Sequence, residues 1–435
     1  MTAGTRGGHR ARNRARLDFA RFWAGQTISN LGSSFTQFAL PLLVFKLTGS
    51  PLNLGVSLAM SYLPYLLFGL VIGAWVDRVD RRRLMIGTDL ARAAVIALVP
   101  LLAAAGRLQV GWVYGVAFAH ATLSIAFDAG EFAAIPSLVA SEDLVTANGR
   151  IQASYSGAQV AGPLLAGLLI TAVPVEQVFW FDALSFLASA GSLALIRRRF
   201  NAEPDGQRRW IGRDIGDGLR YVLGHPVLRS ISAMMALINL VASTTYAQLV
   251  LFAKQRLDAS DAQVGFLYSA GSVGIVVLSL AAGPLRRRLP FSRVALGALT
   301  ADGLLTVALS TTRWYWLALP LWALISGLGI LFNINTGSLR QQIVPSQLLG
   351  RVISIAGMLA WSAIPLGAVL GGLAIQWSGS VALVYGAIGA TVALIAVAFW
   401  FSPVGHAERY LPARQQSQAG AGAAAATPQA GDGRG

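Results

Sequence analysis

The chain has 435 residues, of which 55% are hydrophobic and only 12% charged, and its mean hydropathy is +0.59. This composition predicts a membrane protein, because soluble domains carry about 25% charged residues, and the net charge of +15 lies in short arginine clusters between apolar runs rather than on a basic nucleic-acid-binding domain. The absence of cysteine excludes disulfides and thiolate chemistry, and the four scattered histidines show no metal-ligand spacing.

Apolar runs of about 20 residues, the length that crosses a bilayer as a helix, recur along the chain. The first follows an arginine-rich start and continues to Phe45, which is too long for the core of a signal peptide and indicates an uncleaved first span. We predict an all-α membrane protein of about twelve transmembrane helices. Their limits are 22–45, 53–76, 84–105, 111–132, 152–173, 178–196, 230–253, 263–285, 292–310, 314–336, 353–376 and 381–402.

The basic residues predict the orientation, because loops rich in Lys and Arg stay in the cytoplasm. Nearly all of the 34 basic residues lie in the N-terminal tail, the even-numbered connections and the C-terminal tail. The odd-numbered connections hold Lys46, Arg107, Lys254, Arg256 and Arg313. Both termini are therefore predicted to be cytoplasmic, in a multi-pass protein of the cell membrane.

A long charged connection divides the chain into two halves of six helices. We predict an N-terminal half over 1–200, a central cytoplasmic loop over 201–229, a C-terminal half over 230–402 and a disordered cytoplasmic tail over 403–435. Within the loop, Ile211, Ile215 and Leu219 recur at helical spacing. This pattern predicts a short amphipathic helix on the inner membrane surface, with a solvated linker helix as the alternative.

The two halves share a spacing pattern that indicates an internal repeat. Gly55 and Gly73 are separated by the same number of residues as Gly265 and Gly283. Two repeated six-helix halves are typical of a transporter whose halves rock about a substrate site between them. A passive channel would not need such halves, and the sequence offers no nucleophile–base set, metal site or phosphate loop for a membrane enzyme.

The stretch "GAWVDRVDRRRLM" after the second span resembles the signature of the major facilitator superfamily, Gly-x-x-x-Asp-Arg-x-Gly-Arg-Arg. The matching residues are Gly73, Asp77, Arg78, Arg81 and Arg82. Asp80 stands where the signature has glycine. The resemblance extends over the predicted spans and implies the major facilitator fold. It also implies a conformational switch, in which Asp77 holds a cytoplasmic contact between the halves that stabilises the outward-open state.

The fifth span contains "GAQVAGPLLAG", which resembles the antiporter signature of the same superfamily. The matching residues are Gly157, Gly162, Pro163 and Gly167, with Gly157 one residue out of frame. Close helix packing alone is the alternative explanation for such small residues. Stretches such as "FARFWAGQTISNLGSSF" and "QQIVPSQLLGRVISI" resemble the branch of siderophore and macrolide exporters, including enterobactin exporters.

Ionisable residues inside the spans are candidates for proton coupling, because a charge in hydrocarbon costs at least about 2.5 kcal/mol. The candidates are Asp89, Arg92, His120, Asp128 and Asp302. Asp89 and Arg92, at positions i and i+3, can form an ion pair that holds spans together, whereas Asp302 has no charged neighbour in its own span. Glu131 and Asp182 are interpreted as groups near the two membrane faces, solvated or anchoring the interface.

The resemblance implies that cargo contacts come from spans one, four, seven and ten, which offer amide and aromatic side chains. The candidates are Gln26, Asn30, Gln37, Tyr114, Asn239, Tyr246, Gln248, Asn333 and Asn335. Amides and aromatics with few charges suit a large amphiphilic molecule better than a small ion.

From these features we expect a secondary active efflux transporter, a proton-coupled antiporter that exports a siderophore or a similar amphiphilic natural product by alternating access. A macrolide- or tetracycline-type multidrug exporter is the alternative. The expected partners are the lipid bilayer and a small-molecule cargo. We expect a monomer that uses the proton gradient without a cofactor, a metal or nucleic acid.

Overall fold

The computed structural model is almost wholly helical and describes residues 3–76, 79–139, 143–196, 200 and 211–410. The first seven helices are α1 (Ala3–Thr48), α2 (Pro51–Val76), α3 (Arg81–Ala104), α4 (Val110–Leu138), α5 (Leu144–Leu169), α6 (Phe179–Ala194) and α7 (Ile211–Gly224). The others are α8 (Pro226–Ala247), α9 (Leu249–Arg256), α10 (Asp261–Arg288), α11 (Phe291–Thr311), α12 (Tyr315–Ile343), α13 (Ser346–Trp361), α14 (Ala363–Ser378) and α15 (Val381–Trp400). Short 3-10 helices cover Val175–Val178 and Pro403–Tyr410.

Ten helical stretches in the described part of the chain are long and apolar enough to cross a membrane. The fifth and sixth predicted spans also form helices but fall short of this standard. Helix α6 has only 16 residues, and α5 carries polar side chains that include Arg150 and Gln159. A protein with many membrane spans is therefore confirmed, whereas the count of twelve and the cytoplasmic termini stay predictions.

Two predicted spans are interrupted. The eleventh divides at Ser362 into α13 and α14, because Pro365 has no N–H group and its ring crowds the carbonyl group one turn earlier. The seventh divides at Gln248 into α8 and α9. Each interruption exposes backbone groups that a continuous helix would pair.

The connection after α2 shows why α3 begins where it does. Asp80 is the N-cap residue of α3, and its carboxylate accepts a hydrogen bond from the N–H of Arg83 at 2.9 Å. The aspartate that departs from the superfamily signature thus stabilises the start of this helix. At the end of α1, Gly49 takes the left-handed conformation (φ +60°) that commonly terminates helices.

The chain forms two compact units. The first comprises Met1–Arg208, Ala247–Ser269 and Ala368–Gly379. In it, α6 packs against α1 and α3, and α4 packs against α2 and α3. The start of α10 approaches α5 so closely that a Cβ atom on Gly265 would lie 2.5 Å from the carbonyl oxygen of Pro163. Small residues allow such close helix contacts in membranes.

The second unit comprises Arg209–Tyr246, Ala270–Gly367 and Ser380–Gly435. In it, α11 packs against α12 and α15, and a Cβ atom on Gly303 would lie 2.5 Å from the carbonyl oxygen of Gly389. The predicted amphipathic helix is present as α7, and its residues Leu219 and Val222 pack against Val352 of α13. Protein therefore covers part of the apolar face of α7.

The predicted disordered tail begins with ordered structure. Its first residues form the 3-10 helix Pro403–Tyr410, in which Val404 and Ala407 are buried. These apolar side chains explain the order, because they remove apolar surface from solvent. The rest of the predicted tail lies outside the described residues.

Candidate functional site

A buried ion pair occupies the middle of α3. The guanidinium of Arg92 donates to the carboxylate of Asp89, three residues earlier on the same helical face. Asp89 is fully buried and Arg92 is 5% exposed. The Arg92 Cζ atom lies 4.0 Å from the ring centroid of Phe127 and 4.3 Å from that of Phe186. Two cation–π contacts from α4 and α6 therefore fix the guanidinium in place.

Several other ionisable groups surround this pair. The charge of Arg92 acts on His120, Asp128 and Glu131 of α4 and on Asp182 of α6. We call the set the Arg92 cluster; its members are Asp89, Arg92, His120, Asp128, Glu131 and Asp182. The cluster places four carboxylates about one guanidinium, so that Arg92 cannot neutralise all of them when they are ionised.

The members of the Arg92 cluster differ in their access to solvent. Asp89 and Asp182 are fully buried, His120 and Glu131 are half-buried, and Asp128 is exposed. The His120 ring lies 5.7 Å from the Phe186 ring, and its Nε2 atom is buried without a hydrogen-bond partner in the described structure. The cluster therefore extends from an exposed carboxylate to two fully buried carboxylates.

The structure brings together four of the five predicted coupling residues and adds two that the sequence analysis placed at the membrane faces. Glu131 and Asp182 belong to the Arg92 cluster. A signal for Asp182 was present in the sequence, since Asp182, Ser185 and Ser189 recur at helical spacing in an otherwise apolar segment. For Glu131 the sequence offers no comparable signal.

Asp302 lies in the second unit and is not a member of this cluster. It interacts with Thr306 on its own helix, α11, and its Oδ2 atom is 3.8 Å from the position that a Cβ atom on Gly329 of α12 would take. Asp302 remains a separate coupling candidate at the contact of two helices.

The predicted cargo residues fall into two groups. Gln26, Gln248 and Asn335 are at most 2% exposed, and their amides bond to Ser189, Pro51 and Leu331 respectively. Their amides therefore serve contacts within the protein. The remaining candidates are half-buried or exposed: Asn30, Gln37, Tyr114, Asn239, Tyr246 and Asn333. Gln37 accepts a hydrogen bond from Gln159 at 3.1 Å while remaining exposed, so it is accessible to a cargo molecule.

Two arginines of the superfamily signature bind backbone carbonyl groups at and beyond the end of α6. Arg82 donates to the carbonyl oxygens of Leu193 at 3.0 Å and Ala194 at 2.5 Å, and Arg81 donates to that of Phe200 at 3.4 Å. Cations at a helix C-terminus are stabilised by its unpaired carbonyls and dipole. Gly73 lies in α2, whereas Asp77 and Arg78 lie outside the described residues.

The glycines of the antiporter-type motif differ in their surroundings. A Cβ atom on Gly162 would collide with the side chain of Ser34, and one on Gly167 would lie 3.1 Å from the Cα atom of Gly265. Pro163 contacts Gly265 through its carbonyl group. Gly157, the residue out of frame, has open space about it. The motif thus brings α5 close to α1 and α10, as the packing interpretation expects.

Long apolar helices around a buried ionisable cluster define a multi-pass membrane transporter, located in the cell membrane. Residues 14–422 match the transmembrane secretion effector family, and the chain belongs to that family of major facilitator transporters. It is thus a transporter and not an enzyme.

Characterised relatives are efflux pumps. The chain is 28% identical to the multidrug efflux pump Tap of Mycolicibacterium fortuitum, over 78% of this chain and 85% of Tap. It is 27% identical to macrolide efflux protein A of Streptococcus pyogenes, over 83% of this chain and 90% of that protein. These relatives support efflux, with an associated role in drug resistance.

Solved transporters share the fold. The nucleoside transporter NupG aligns with a TM-score of 0.73 at 12% identity, over 88% of this chain and 98% of NupG. A bacterial homologue of the human lysosomal transporter Spinster, in an inward-facing and occupied conformation, aligns with a TM-score of 0.70 at 13% identity, over 90% of this chain and 96% of that chain. At these identities the likeness concerns the fold alone.

Proposed function

We propose that the protein is a proton-coupled exporter of macrolide-type amphiphilic compounds. The export of such compounds is supported by the relatives, which are macrolide and multidrug efflux pumps. The observation that carries proton coupling is the Arg92 cluster, in which one guanidinium is paired with Asp89 and acts electrostatically on three further carboxylates within the apolar helices. Uncompensated charge in that environment is costly, which supports proton binding as the means of neutralisation.

The cluster suggests how a proton is taken up and passed on. Asp128 is exposed and can exchange protons with water, whereas Asp89 is buried and paired with Arg92. Protonation of Asp89 would remove its charge and release Arg92 to a neighbouring carboxylate such as Glu131. A change of partner by one fixed cation is a two-state event, and a proton bound more tightly in one state shifts the balance between the two.

The accessible cargo candidates support an amphiphilic substrate. Gln37 and Asn333 present amides and Tyr246 presents an aromatic ring, and all three are exposed. Such groups make hydrogen bonds and apolar contacts without requiring a charged ligand. A siderophore has similar chemistry and remains the alternative cargo, which the experiments below distinguish from a macrolide.

The test of coupling is accumulation of tritium-labelled erythromycin, a macrolide, in everted vesicles from a host without its own drug pumps. We expect respiring vesicles to accumulate the label and to lose it when nigericin collapses the pH gradient. Asp128→Asn and Glu131→Gln should abolish accumulation. Asp143→Asn, at an exposed carboxylate outside the cluster, should leave it intact. Accumulation by the wild-type protein that survives loss of the gradient contradicts proton antiport.

Cargo class is tested in intact cells. A susceptibility panel should show increased macrolide tolerance in cells that express the wild-type protein and none with Asp128→Asn. Siderophore in the medium is measured in the same cultures of a producing host after deletion of the gene. Lower external siderophore with unchanged drug tolerance would favour the siderophore alternative over the macrolide cargo.

A further inference from the structure

A polar contact joins α1 and α6 inside the apolar part of the first unit. Helix α6 presents Asp182, Ser185, Ser189 and Ser192, which recur at spacings of three and four residues and therefore share one face. Helix α1 presents Gly25, Gln26, Gly32 and Ser33 to that face. We call these residues the α1–α6 contact. A Cβ atom on Gly32 would lie 3.0 Å from the Cα atom of Asp182, so the two helices approach closely at that carboxylate.

Asp182 lies at one end of this contact, and only one of its two carboxylate oxygens accepts hydrogen bonds. The residue is fully buried, and its Oδ1 atom accepts hydrogen bonds from Ser33 and Ser185, each at 3.3 Å. Its Oδ2 atom has no hydrogen-bond partner among the described residues, and neither does the hydroxyl oxygen of the neighbouring Thr36, which is 4% exposed. The Thr36 hydroxyl also faces this carboxylate. An ionised carboxylate at a fully buried position is costly, so the site is suited to a proton on Oδ2, which removes the charge and can pair with the Thr36 oxygen.

The charged surroundings of Asp182 are sparse. Helix α1 presents neutral hydroxyl groups to it, from Ser33 and Thr36, and α3 presents the charge of Arg92. No ion pair within 4 Å involves Asp182 in the part of the chain that the structure describes. A proton is therefore the means of neutralising Asp182 that the geometry leaves open.

The other end of the polar face leads to the Asp89–Arg92 pair. The Ser189 hydroxyl accepts a hydrogen bond from the Gln26 amide at 3.3 Å and also interacts with the carboxylate of Asp89. Ser189 is seven residues beyond Asp182, about 10 Å along the helix. In the predicted topology α6 runs from the outer to the inner face, so Asp182 lies nearer the outside than Asp89.

We propose that Asp182 is the outer protonation site of a proton path that runs along the α1–α6 contact to Asp89, apart from the cargo-facing side chains. This proposal rests on the proposed proton coupling. A proton from the outer side binds Asp182 Oδ2, and rotation of the neutral carboxyl group brings that proton to Ser185, which contacts the other oxygen. Ser185 and Ser189 each accept a proton and release their own, and a water molecule spans the four residues between them, about 6 Å along the helix. Asp89 receives the proton, and its ion pair with Arg92 breaks. The two serines are restored and Asp182 is ionised again, and the single proton that entered remains on Asp89 as its neutral acid until Asp89 releases it toward the inner side, so atoms and charge balance.

The experiment uses the full-length protein reconstituted in liposomes with tritium-labelled erythromycin. Exchange of labelled for unlabelled erythromycin, without any gradient, reports cargo binding and the conformational change. Accumulation into liposomes with an acidic lumen reports coupling, and a gradient of one pH unit supports about tenfold accumulation for each proton exchanged. We expect Asp182→Asn to exchange at the wild-type rate and to accumulate no label, and Asp182→Glu to accumulate it again.

Two serine variants separate the proton path from helix packing. Ser185→Ala removes both a donor to Asp182 and a member of the relay, so accumulation should be slower and its pH of half-maximum should shift, while exchange is unchanged. Ser192→Ala alters the same face of α6 at a position beyond Ser189, the residue that leads to Asp89. It should change neither the pH profile of accumulation nor the exchange rate. If Asp182→Asn does not exchange, the Ser185→Ala pH profile decides the matter, and an unshifted profile overturns the proposal.

The outcomes distinguish the two proposals. Wild-type protein that accumulates erythromycin without a proton gradient overturns proton coupling and the role of Asp182 with it. Wild-type protein that requires the gradient, together with Asp182→Asn that still accumulates about tenfold for one pH unit, overturns the role of Asp182 alone. A readout that does not need transport is the proton released on cargo binding, followed with a pH-indicator dye in weakly buffered detergent solution. If the Asp182→Asn variant releases as many protons as the wild-type protein, the role of Asp182 is likewise overturned.

Discussion

Lys46 and Asp261 form an ion pair, with 2.5 Å between Lys46 Nζ and Asp261 Oδ2. The second oxygen of the same carboxylate is 2.5 Å from Lys254 Nζ. These are the two lysines in a chain whose other basic residues are all arginines. The three side chains join the end of α1 to the end of α9 and the start of α10, within the first unit. In the predicted topology this ion cluster lies at the outer face.

Loss of the Asp261 carboxylate should loosen this contact. The side chains are partly exposed, at 40% for Lys46 and 23% for Asp261, so solvent weakens the pair and the loss in Asp261→Asn is about 1 kcal/mol, a factor of about five in an opening equilibrium. The natural absence of cysteine allows a single probe, Val264→Cys, at a fully buried position three residues later. Its labelling by a maleimide should accelerate about fivefold in the Asp261→Asn background.

The matched control for this change is Asp258→Asn, at an exposed aspartate in the same connection. It should leave the labelling rate of Val264→Cys unchanged. Equal labelling in the presence and absence of the Asp261 carboxylate would show that the ion cluster does not hold the contact closed.

Truncation of Arg82 should destabilise the end of α6. Arg82→Ala removes the donors to the carbonyls of Leu193 and Ala194, and cations at a partly buried helix C-terminus contribute about 1–2 kcal/mol. We expect a lower unfolding temperature of the purified protein in detergent, measured by the intrinsic fluorescence of tryptophan. Arg83→Ala, at an exposed arginine of the same turn, is the control. Equal unfolding temperatures of the two variants would disprove the capping role.

The antiporter-type motif should separate into one sensitive and one tolerant glycine. Gly162→Ala forces a Cβ atom into the side chain of Ser34, and overpacking of this kind costs about 1–3 kcal/mol. Gly157→Ala adds a methyl group where nothing lies within 4 Å. We expect reduced folding yield and export with Gly162→Ala and wild-type values with Gly157→Ala. Export lost in Gly157→Ala with normal yield would indicate a function for this glycine beyond packing.

His225 should make stability depend on pH. Burial lowers the pKa of His225, whose ring lies 6.4 Å from that of Tyr221 and 5.9 Å from that of Tyr410. An unfolded chain restores the ordinary histidine pKa of about 6.5, so below that pH the unfolded state binds more protons and stability decreases until the folded-state pKa is passed. The contribution of neutral His225 to the free energy of unfolding is therefore fully present above about pH 6.5.

The corresponding variant is His225→Phe, which keeps an aromatic ring but cannot bind a proton. The difference in unfolding temperature between pH 7.5 and 5.5 should be smaller in this variant than in the wild-type protein. His406→Phe, at an exposed histidine, should leave that difference as it is. If the unfolding temperature of His225→Phe changed between pH 7.5 and 5.5 as much as that of the wild-type protein, this histidine would be excluded as the source of the pH dependence.

Much of the architecture was predictable because a bilayer imposes a single requirement on length and composition. Runs such as 84–105 and 292–310 correspond closely to α3 and α11. The interruptions at Gln248 and Ser362 were not recognised, although Pro365 is a known breaker of helices. For Gln248 the local sequence carries no breaker; its side chain bonds to the Pro51 carbonyl at 2.7 Å, and such a partner is visible only after folding.

The sequence by itself predicted a transporter with many spans, a repeated organisation and ionisable residues at membrane depth, because these predictions depend on residue type and spacing along one chain. Only the tertiary structure decided which ionisable residues share a site. Asp182 and Asp89 are far apart in sequence, yet α6 packs against both α1 and α3. The sequence around Asp302 is as apolar as theirs, but Asp302 lies in the other unit. Electrostatic coupling depends on distance in space, and hydropathy along the chain carries no information about that distance.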